Sequence, residues 1–366
     1  MWNGGRRGRM KDIGILTFHD TSNFGAVLQA YATYKTINHL GYSCEIINYQ
    51  NENIRKRENP EERHKDSKGL RDRFKWVLRD YKEIRKYDQL ISFLKSDTEI
   101  SRGIFDKSNF QEVSEKYKGI LVGSDMLWCT RYTCSDYSYM LEGIQGIKKY
   151  SYATSVGHMW EDEEEDRILD LLSDFNCLAV REIDVAEYLT MKLGKDVHNV
   201  CDPTMLITQN EWKKMVLNRT KYDRVLIYMD DHEHNCFKAA RVLTQKYDIN
   251  VQTVGFRVWP LKKTGIIELY SIQDFLTAIY NSRMVVTASY HGLLFAIYFH
   301  IPFVYYNKDC SRMSTLADRI GIGYRDGNKY NISEMKEIDW EKIDKNIENF
   351  RKTSMDVLKG MISEIC

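Results

Sequence analysis

Short apolar runs alternate with helix-patterned stretches along almost the whole chain, and this alternation restricts the fold more than any other feature. The run "IGILTF" stops at Phe18, and a polar stretch follows that holds His19, Asp20, Asn23 and Gly25. A helix is expected from about Gly25 to Leu40, because Val27, Ala30, Tyr31 and Tyr34 fall at the i, i+3, i+4, i+7 spacing of one buried face. Gly41 is placed to end it, and "CEIINY" returns as a strand. A strand–helix–strand crossover of this length implies parallel pairing.

The same rhythm continues through "GILVGS", "KKYSYATS", "EDEEEDRILDLLSDF", "CLAVRE", "DVAEYLTMKLG" and "VHNVCDP". It then restarts with "RVLIYM", "CFKAARVLTQKY", "NVQTVGF", "SIQDFLTAIYNS", "MVVTAS", "GLLFAIYF" and "PFVYY", and Ser271 and Asp274 are placed to cap one of these helices. Two successive α/β units predict two Rossmann-like domains, over residues 11–207 and 208–338, with a cleft between them. Residues 339–366 are expected to form an amphipathic helix, and residues 1–10 a disordered leader. One segment breaks the rhythm. Residues 51–118 are dense in charge of both signs, with Phe74, Val77, Leu78 and Tyr81 at helical spacing, and are expected to be a charged helical insertion of one or two helices.

A net charge of +1 gives no global attraction for nucleic acid, and no run of about eighteen apolar residues predicts a membrane span. The eight cysteines form no C-x-x-C pair, and the histidines show no zinc-ligand spacing, so reduced thiols, a cytoplasmic location and no metal are expected. There is no complete G-x-G-x-x-G, no P-loop and no G-x-S-x-G, which argues against dinucleotide, P-loop nucleotide and hydrolase chemistry.

In open parallel sheets, ligands bind outside the carboxyl ends of the strands. That rule selects His19, Asn23 and Gly25 after the first strand, Ser124 and Asp125 after "GILVGSD", and Arg181 and Glu182 after "CLAVRE". It also selects Ser289, Tyr290, His291 and Gly292 in "TASYHG". Arg181 offers a two-pronged grip for phosphate or carboxylate, or else a structural ion pair. His291, at the start of an apolar helix, can meet an anion or move a proton, or else cap that helix. Asp125 can accept a proton from a hydroxyl or cap a helix.

Taken in order, "GILTFHDTSNFGAVLQAYA", "GILVGSDMLW", "YSYATSVG", "AVRE", "CDPTMLI", "FLTAIYNSRMVVTASYHGLLFAIYFHIPF" and "SRMSTLADRIGI" resemble the polysaccharide pyruvyl transferase family over about residues 11–325. The resemblance implies a GT-B-like fold. It also implies transfer of a pyruvyl group from phosphoenolpyruvate to hydroxyls of a glycan or glycan precursor, forming a ketal, as in exopolysaccharide and other bacterial cell-surface glycan biosynthesis. His291 would protonate the donor's methylene carbon, Arg181 and the helix start at His291–Gly292 would hold its charges, and Asp125 or His19 would hold or deprotonate the acceptor. No cofactor beyond the donor substrate is implied. The family's arginine two positions before this histidine is Ser289 here, and Arg257 or Arg312 is expected to take its place. The implied partners are phosphoenolpyruvate and a glycan or lipid-linked saccharide, the latter drawing the protein to the inner face of the membrane. Two rival expectations are a GT-B glycosyltransferase using a nucleotide sugar and a non-catalytic glycan-binding or assembly protein.

Overall fold

The computed structural model describes residues 10–63, 70–229, 234–255, 265–307 and 311–365. The first strand, β1 (Lys11–Leu16), is followed by α1 (Phe24–His39) and β2 (Cys44–Tyr49), as the opening pattern predicts. β1 and β2 pair in parallel with Ile13 opposite Cys44 and Ile15 opposite Ile46. Asn23 caps α1 by accepting from the backbone N–H groups of Gly25 and Ala26. Burial runs unbroken from Phe24 to Tyr34 rather than along one face, because α1 is covered from both sides.

The charged segment differs from its expectation. It holds three helices, α2 (Glu52–Glu58), α3 (Pro60–Arg63) and α4 (Leu70–Asp97), and then a strand, β3 (Ile100–Phe105), that pairs with β2. The insertion therefore ends near residue 97 rather than 118. "ISRGIF" hides its strand because it is the sheet edge: three consecutive residues are exposed and Gly103 contributes no side chain, so no apolar alternation survives. Of the expected apolar stripe of α4, only Tyr81 lies among the described side chains. Tyr81 is exposed, the side chains of Phe74, Val77 and Leu78 lie outside the described residues, and among the described side chains of α4 the buried ones are Lys82, Lys86, Leu90, Phe93 and Leu94.

Next come β4 (Tyr117–Val122), α5 (Thr130–Thr133), β5 (Lys148–Ser151), α6 (Asp162–Ser173), β6 (Leu178–Val180), α7 (Ile183–Leu193) and β7 (Val197–Asn199). The five-stranded sheet has the order β3-β2-β1-β4-β5, and bridges from Tyr150 to Cys177 and from Thr154 to Val180 carry it on to the pair β6-β7. The strand order reverses between β1 and β4, so their carboxyl ends open a crevice.

A short helix α8 (Gln209–Lys213), with a capping box from Thr208 and Glu211, leads to a second sheet. Its elements are β8 (Tyr222–Met229), α9 (His234–Tyr247), β9 (Asn250–Gly255), α10 (Ile272–Tyr280), β10 (Ser282–Thr287), α11 (Tyr290–Tyr298), β11 (Phe303–Tyr305) and α12 (Ser311–Ile320). The order is β11-β10-β8-β9, all parallel, with a second reversal between β8 and β10. Ser271 and Asp274 form the capping box expected for α10. Finally α13 (Trp340–Ser363) returns to the first sheet, where Tyr150 donates to Glu364 and Ser354 accepts from the Cys201 N–H.

The two sheets share one core cluster, and Phe24 of α1 stacks on Phe275 of α10 with ring centroids 5.0 Å apart. Lys86 of α4 lies 4.4 Å from the Phe24 ring, and Lys82 of α4 pairs with Glu268 just before α10. The insertion thus reaches across to the second sheet. Among the described residues, no helix is long and apolar enough to cross a membrane.

Candidate functional site

Four strand ends converge at the junction of the two sheets. β4 delivers Ser124, β6 delivers Arg181, the turn after β7 delivers Asp202, and β10 delivers His291 in the first turn of α11. Asp202 is the hub and is fully buried. Its Oδ1 accepts from the N–H of Thr204 at 3.0 Å and from the Thr204 hydroxyl at 2.7 Å, which fixes the carboxylate plane. Its Oδ2 accepts from Arg181 Nη1 at 2.6 Å and from Ser124 Oγ at 3.2 Å. His291 Nε2 stands 3.6 Å from the same oxygen, beyond hydrogen-bond length but within ion-pair range.

Burial by itself would raise the Asp202 carboxyl. The charges of His291 and Arg181 outweigh it and hold the group well below the usual carboxylate range. Arg181 is 2% exposed, and although burial opposes its charge, Asp202 more than restores it. The structural ion pair considered for Arg181 is therefore present. It uses only Nη1. Nε and Nη2, which lie along one edge of the guanidinium, are buried and have no partner. His291 Nε2 and Glu182 Oε2 are likewise buried without a hydrogen-bond partner. Buried polar groups are nearly always satisfied, so four orphans in one place mark a ligand or water site.

Glu182 is almost fully buried beside Arg181, with Oε1 accepting from the Ser155 hydroxyl. Burial pushes its carboxyl up, and Arg181 and Arg312 offset this only in part. The Arg181 guanidinium carbon lies 4.9 Å from the centre of the Tyr290 ring. Burial drives the Tyr290 hydroxyl far above its ordinary range. Ser289 caps α11 by accepting from the Gly292 N–H at 3.3 Å. Gly292 sits where a Cβ would come within 2.6 Å of Tyr228 and 2.7 Å of Thr287. Gly25, in the first turn of α1, faces His291 so closely that a Cβ would lie 2.2 Å from Nδ1. Asp125 has φ +81°, a strained backbone for any non-glycine residue, and its Oδ1 accepts from the Met126 N–H. Its charge acts on Arg181.

The remaining candidates differ in how they relate to the hub. His19 is buried with Nδ1 3.1 Å from the Thr17 carbonyl oxygen and Nε2 3.3 Å from Asn48 Oδ1, so each ring nitrogen faces a protein oxygen at hydrogen-bond distance. Asn23 is committed to capping α1. Arg312, at the start of α12, acts electrostatically on Glu182 and Tyr290, whereas Arg257 lies outside the described residues. Asp202 escaped the sequence reading. The strand end before it, "VHNVCDP", was visible, but the strand is only three residues long and Asp202 follows it by a further turn. An Asp–Pro pair after a strand was the available signal. A cavity of about 450 Å³ opens between Ile183–Asp184 of α7 and Ser311–Asp318 of α12, and none of Ser124, Arg181, Asp202 and His291 lines it.

A sequence comparison with curated proteins finds no match. Among solved structures, the chain is similar to UDP-N-acetylglucosamine 2-epimerase from Rickettsia bellii, at 10% identity over 98% of this chain and 97% of that one, with a TM-score of 0.53. It is also similar to Methanocaldococcus jannaschii UDP-GlcNAc 2-epimerase in complex with UDP-GlcNAc and UDP, at 12% identity over 93% of each chain, with a TM-score of 0.50. Such identities speak for the fold alone, and that fold is GT-B. The sequence model of the family described as polysaccharide pyruvyl transferase matches residues 23–309, a span that contains Gly25, Ser124, Arg181, Asp202 and His291. With more than half of the chain matched, and with these residues gathered at one buried hub, the protein belongs to the polysaccharide pyruvyl transferase family.

Proposed function

We propose that the protein transfers a pyruvyl group from phosphoenolpyruvate to two hydroxyls of a glycan or glycan precursor. The observation that carries this reading is the buried, unpartnered Nε–Nη2 edge of Arg181 beside His291. An arginine edge with its third nitrogen tied down is pre-oriented for two oxygens of a carboxylate or phosphate. The first turn of α11 adds the partial positive charge of a helix start.

In this reading, protonated His291 gives its proton to the donor's methylene carbon, and the electrons of the carbon–carbon double bond form the new C–H bond. One acceptor hydroxyl adds to the resulting cationic carbon and loses its proton. Phosphate leaves with its bonding electrons, and the second hydroxyl closes the ketal and loses its own proton. Of the two protons released, one restores His291 and one leaves with phosphate. Asp125, in its strained turn facing the same site, is the group suited to hold the acceptor hydroxyl. Arg312 supplies the cation that Ser289 does not.

The test is thermal shift with phosphoenolpyruvate, UDP-sugars and phosphate, followed by phosphate release in the presence of a saccharide panel. Stabilisation by phosphoenolpyruvate that weakens in Arg181→Lys and His291→Ala supports the reading. Stabilisation by UDP-sugars alone would sink it in favour of glycosyl transfer, and binding of saccharides without turnover of any donor would favour a binding protein.

A further inference from the structure

Asp202 poses an electrostatic problem for any anion site. It places a full negative charge in contact with the cation that is to hold the anion. Its carboxyl is held below the usual carboxylate range, with Arg181 among the causes, so Asp202 carries that charge near neutral pH. With Arg181 charged and His291 neutral, the hub sums to zero. A proton on His291, whose Nε2 stands 3.6 Å from Asp202 Oδ2, makes the sum +1.

We propose that Asp202 makes anion binding at Arg181 conditional on a proton at His291, so that the donor enters together with the proton its transfer consumes. The inference rests on the anion-binding role of Arg181 stated above. Three geometric facts support it. One oxygen, Oδ2, faces both Arg181 and His291, so the two cations share a single counter-charge. The carboxylate cannot turn away, because Thr204 holds Oδ1 through two hydrogen bonds. Its low exposure keeps solvent from screening the balance.

Other groups around the hub are accounted for. The hydroxyls of Tyr290 from α11, Tyr298 at the end of α11 and Tyr152 after β5 are held far above neutrality by burial and stay uncharged. The Cys201 thiol is pushed up to about 12 by burial and does the same. Asp125 after β4 and Arg312 of α12 contribute opposite charges at greater reach. Glu182 at the start of α7 is the one competing titratable group, since burial raises its carboxyl. Gly25 of α1 adds no charge.

Sulfate is the probe, because its charge does not change between about pH 5.5 and 8, the range in which an imidazole changes its own. Calorimetry is run at both pH values on wild type, Asp202→Asn, His291→Ala and Glu182→Gln, with melting temperature as the folding check. In wild type, sulfate affinity is expected to fall by at least about tenfold on raising the pH, the effect of one charge at close range in a poorly screened site. Asp202→Asn at the higher pH is expected to bind sulfate as tightly as wild type does at the lower one, since both hubs then sum to +1. His291→Ala binds weakly at both, and Glu182→Gln follows wild type. A merely structural Asp202 would instead lower sulfate affinity and melting temperature together at both pH values, and that result overturns the proposal. So do a pH-independent wild type, a pH dependence carried by Glu182, or no sulfate binding at all. If Asp202→Asn does not fold, a pH dependence that survives in His291→Ala is the overturning result. Sulfate obeying this pattern while phosphoenolpyruvate fails to bind would remove the donor assignment and leave the role of Asp202 standing.

Discussion

Gly25 carries the sharpest prediction, because one methyl group there collides with the imidazole on which the proposed chemistry depends. A Cβ at position 25 would lie 2.2 Å from His291 Nδ1, 2.7 Å from Cε1 and 2.8 Å from Cγ. That is more than about 1 Å short of ordinary van der Waals contact. The ring has little room to retreat. Asp202 lies 3.6 Å from its Nε2, and the next residue, Gly292, is itself pressed between Tyr228 and Thr287. The alternative is for α1 to move away from α11, which loosens the stacking of Phe24 on Phe275. Either route costs what overpacking costs, about 1–3 kcal/mol. At about 2–4 °C per kcal/mol, or somewhat less in a chain of this size, Gly25→Ala should melt a few degrees below wild type. Displacing the imidazole by about 1 Å should slow phosphate release from phosphoenolpyruvate by roughly 100-fold. Gly323→Ala is the control, since no atom lies within 4 Å of a Cβ there. A Gly25→Ala protein with wild-type melting temperature and wild-type turnover would refute the packing of α1 on His291.

Lys86 is fully buried, and burial lowers its ammonium to about 8 despite the opposing charges of Glu58 and Glu83. The unfolded lysine keeps its proton to about 10.4, so between these values the unfolded state binds more protons and stability rises with pH. Wild type should gain about 3 kcal/mol across that window relative to Lys86→Met in urea unfolding, and equal pH slopes would refute the burial of this group. Gly360 occupies an exposed position in α13 with open space around it, so Gly360→Ala should stabilise by about 0.5–1 kcal/mol in the same assay. Among the described cysteines, exposed Cys134 should alkylate rapidly at about pH 8. Cys44 and Cys201, whose thiols burial pushes up to about 12, should resist until the protein unfolds.

Much of the fold is legible in the chain because it is built of buried parallel strands, which read as unbroken apolar runs, and helices, which read as periodic ones. "CEIINY" is β2 residue for residue, and "SIQDFLTAIYNS" contains α10 with its capping box. The edge strand β3 escaped because an edge needs only one buried flank and tolerates charge. Of the stripe expected for α4, the described residue Tyr81 is exposed, and next to it Lys82 meets Glu268 before α10 and Lys86 meets Phe24 of α1, two lysines that do not read as core positions.

For the site, local sequence determined which loops matter. The rule that ligands bind at strand ends selected the loops of Ser124, Arg181 and His291, because that rule depends only on strand direction and connectivity. What the sequence could not contain is which side chains spend their hydrogen bonds on one another. His19 and His291 look alike as strand-end histidines, yet the fold sets both ring nitrogens of His19 against Thr17 and Asn48 and leaves His291 Nε2 without a hydrogen bond, 3.6 Å from Asp202. Asp202 becomes the hub only because residues 124, 181 and 291, distant in the chain, are brought around one carboxylate. Periodicity reports burial one residue at a time. Charge balance at a buried site is a property of several residues together, and only the tertiary structure assembles them.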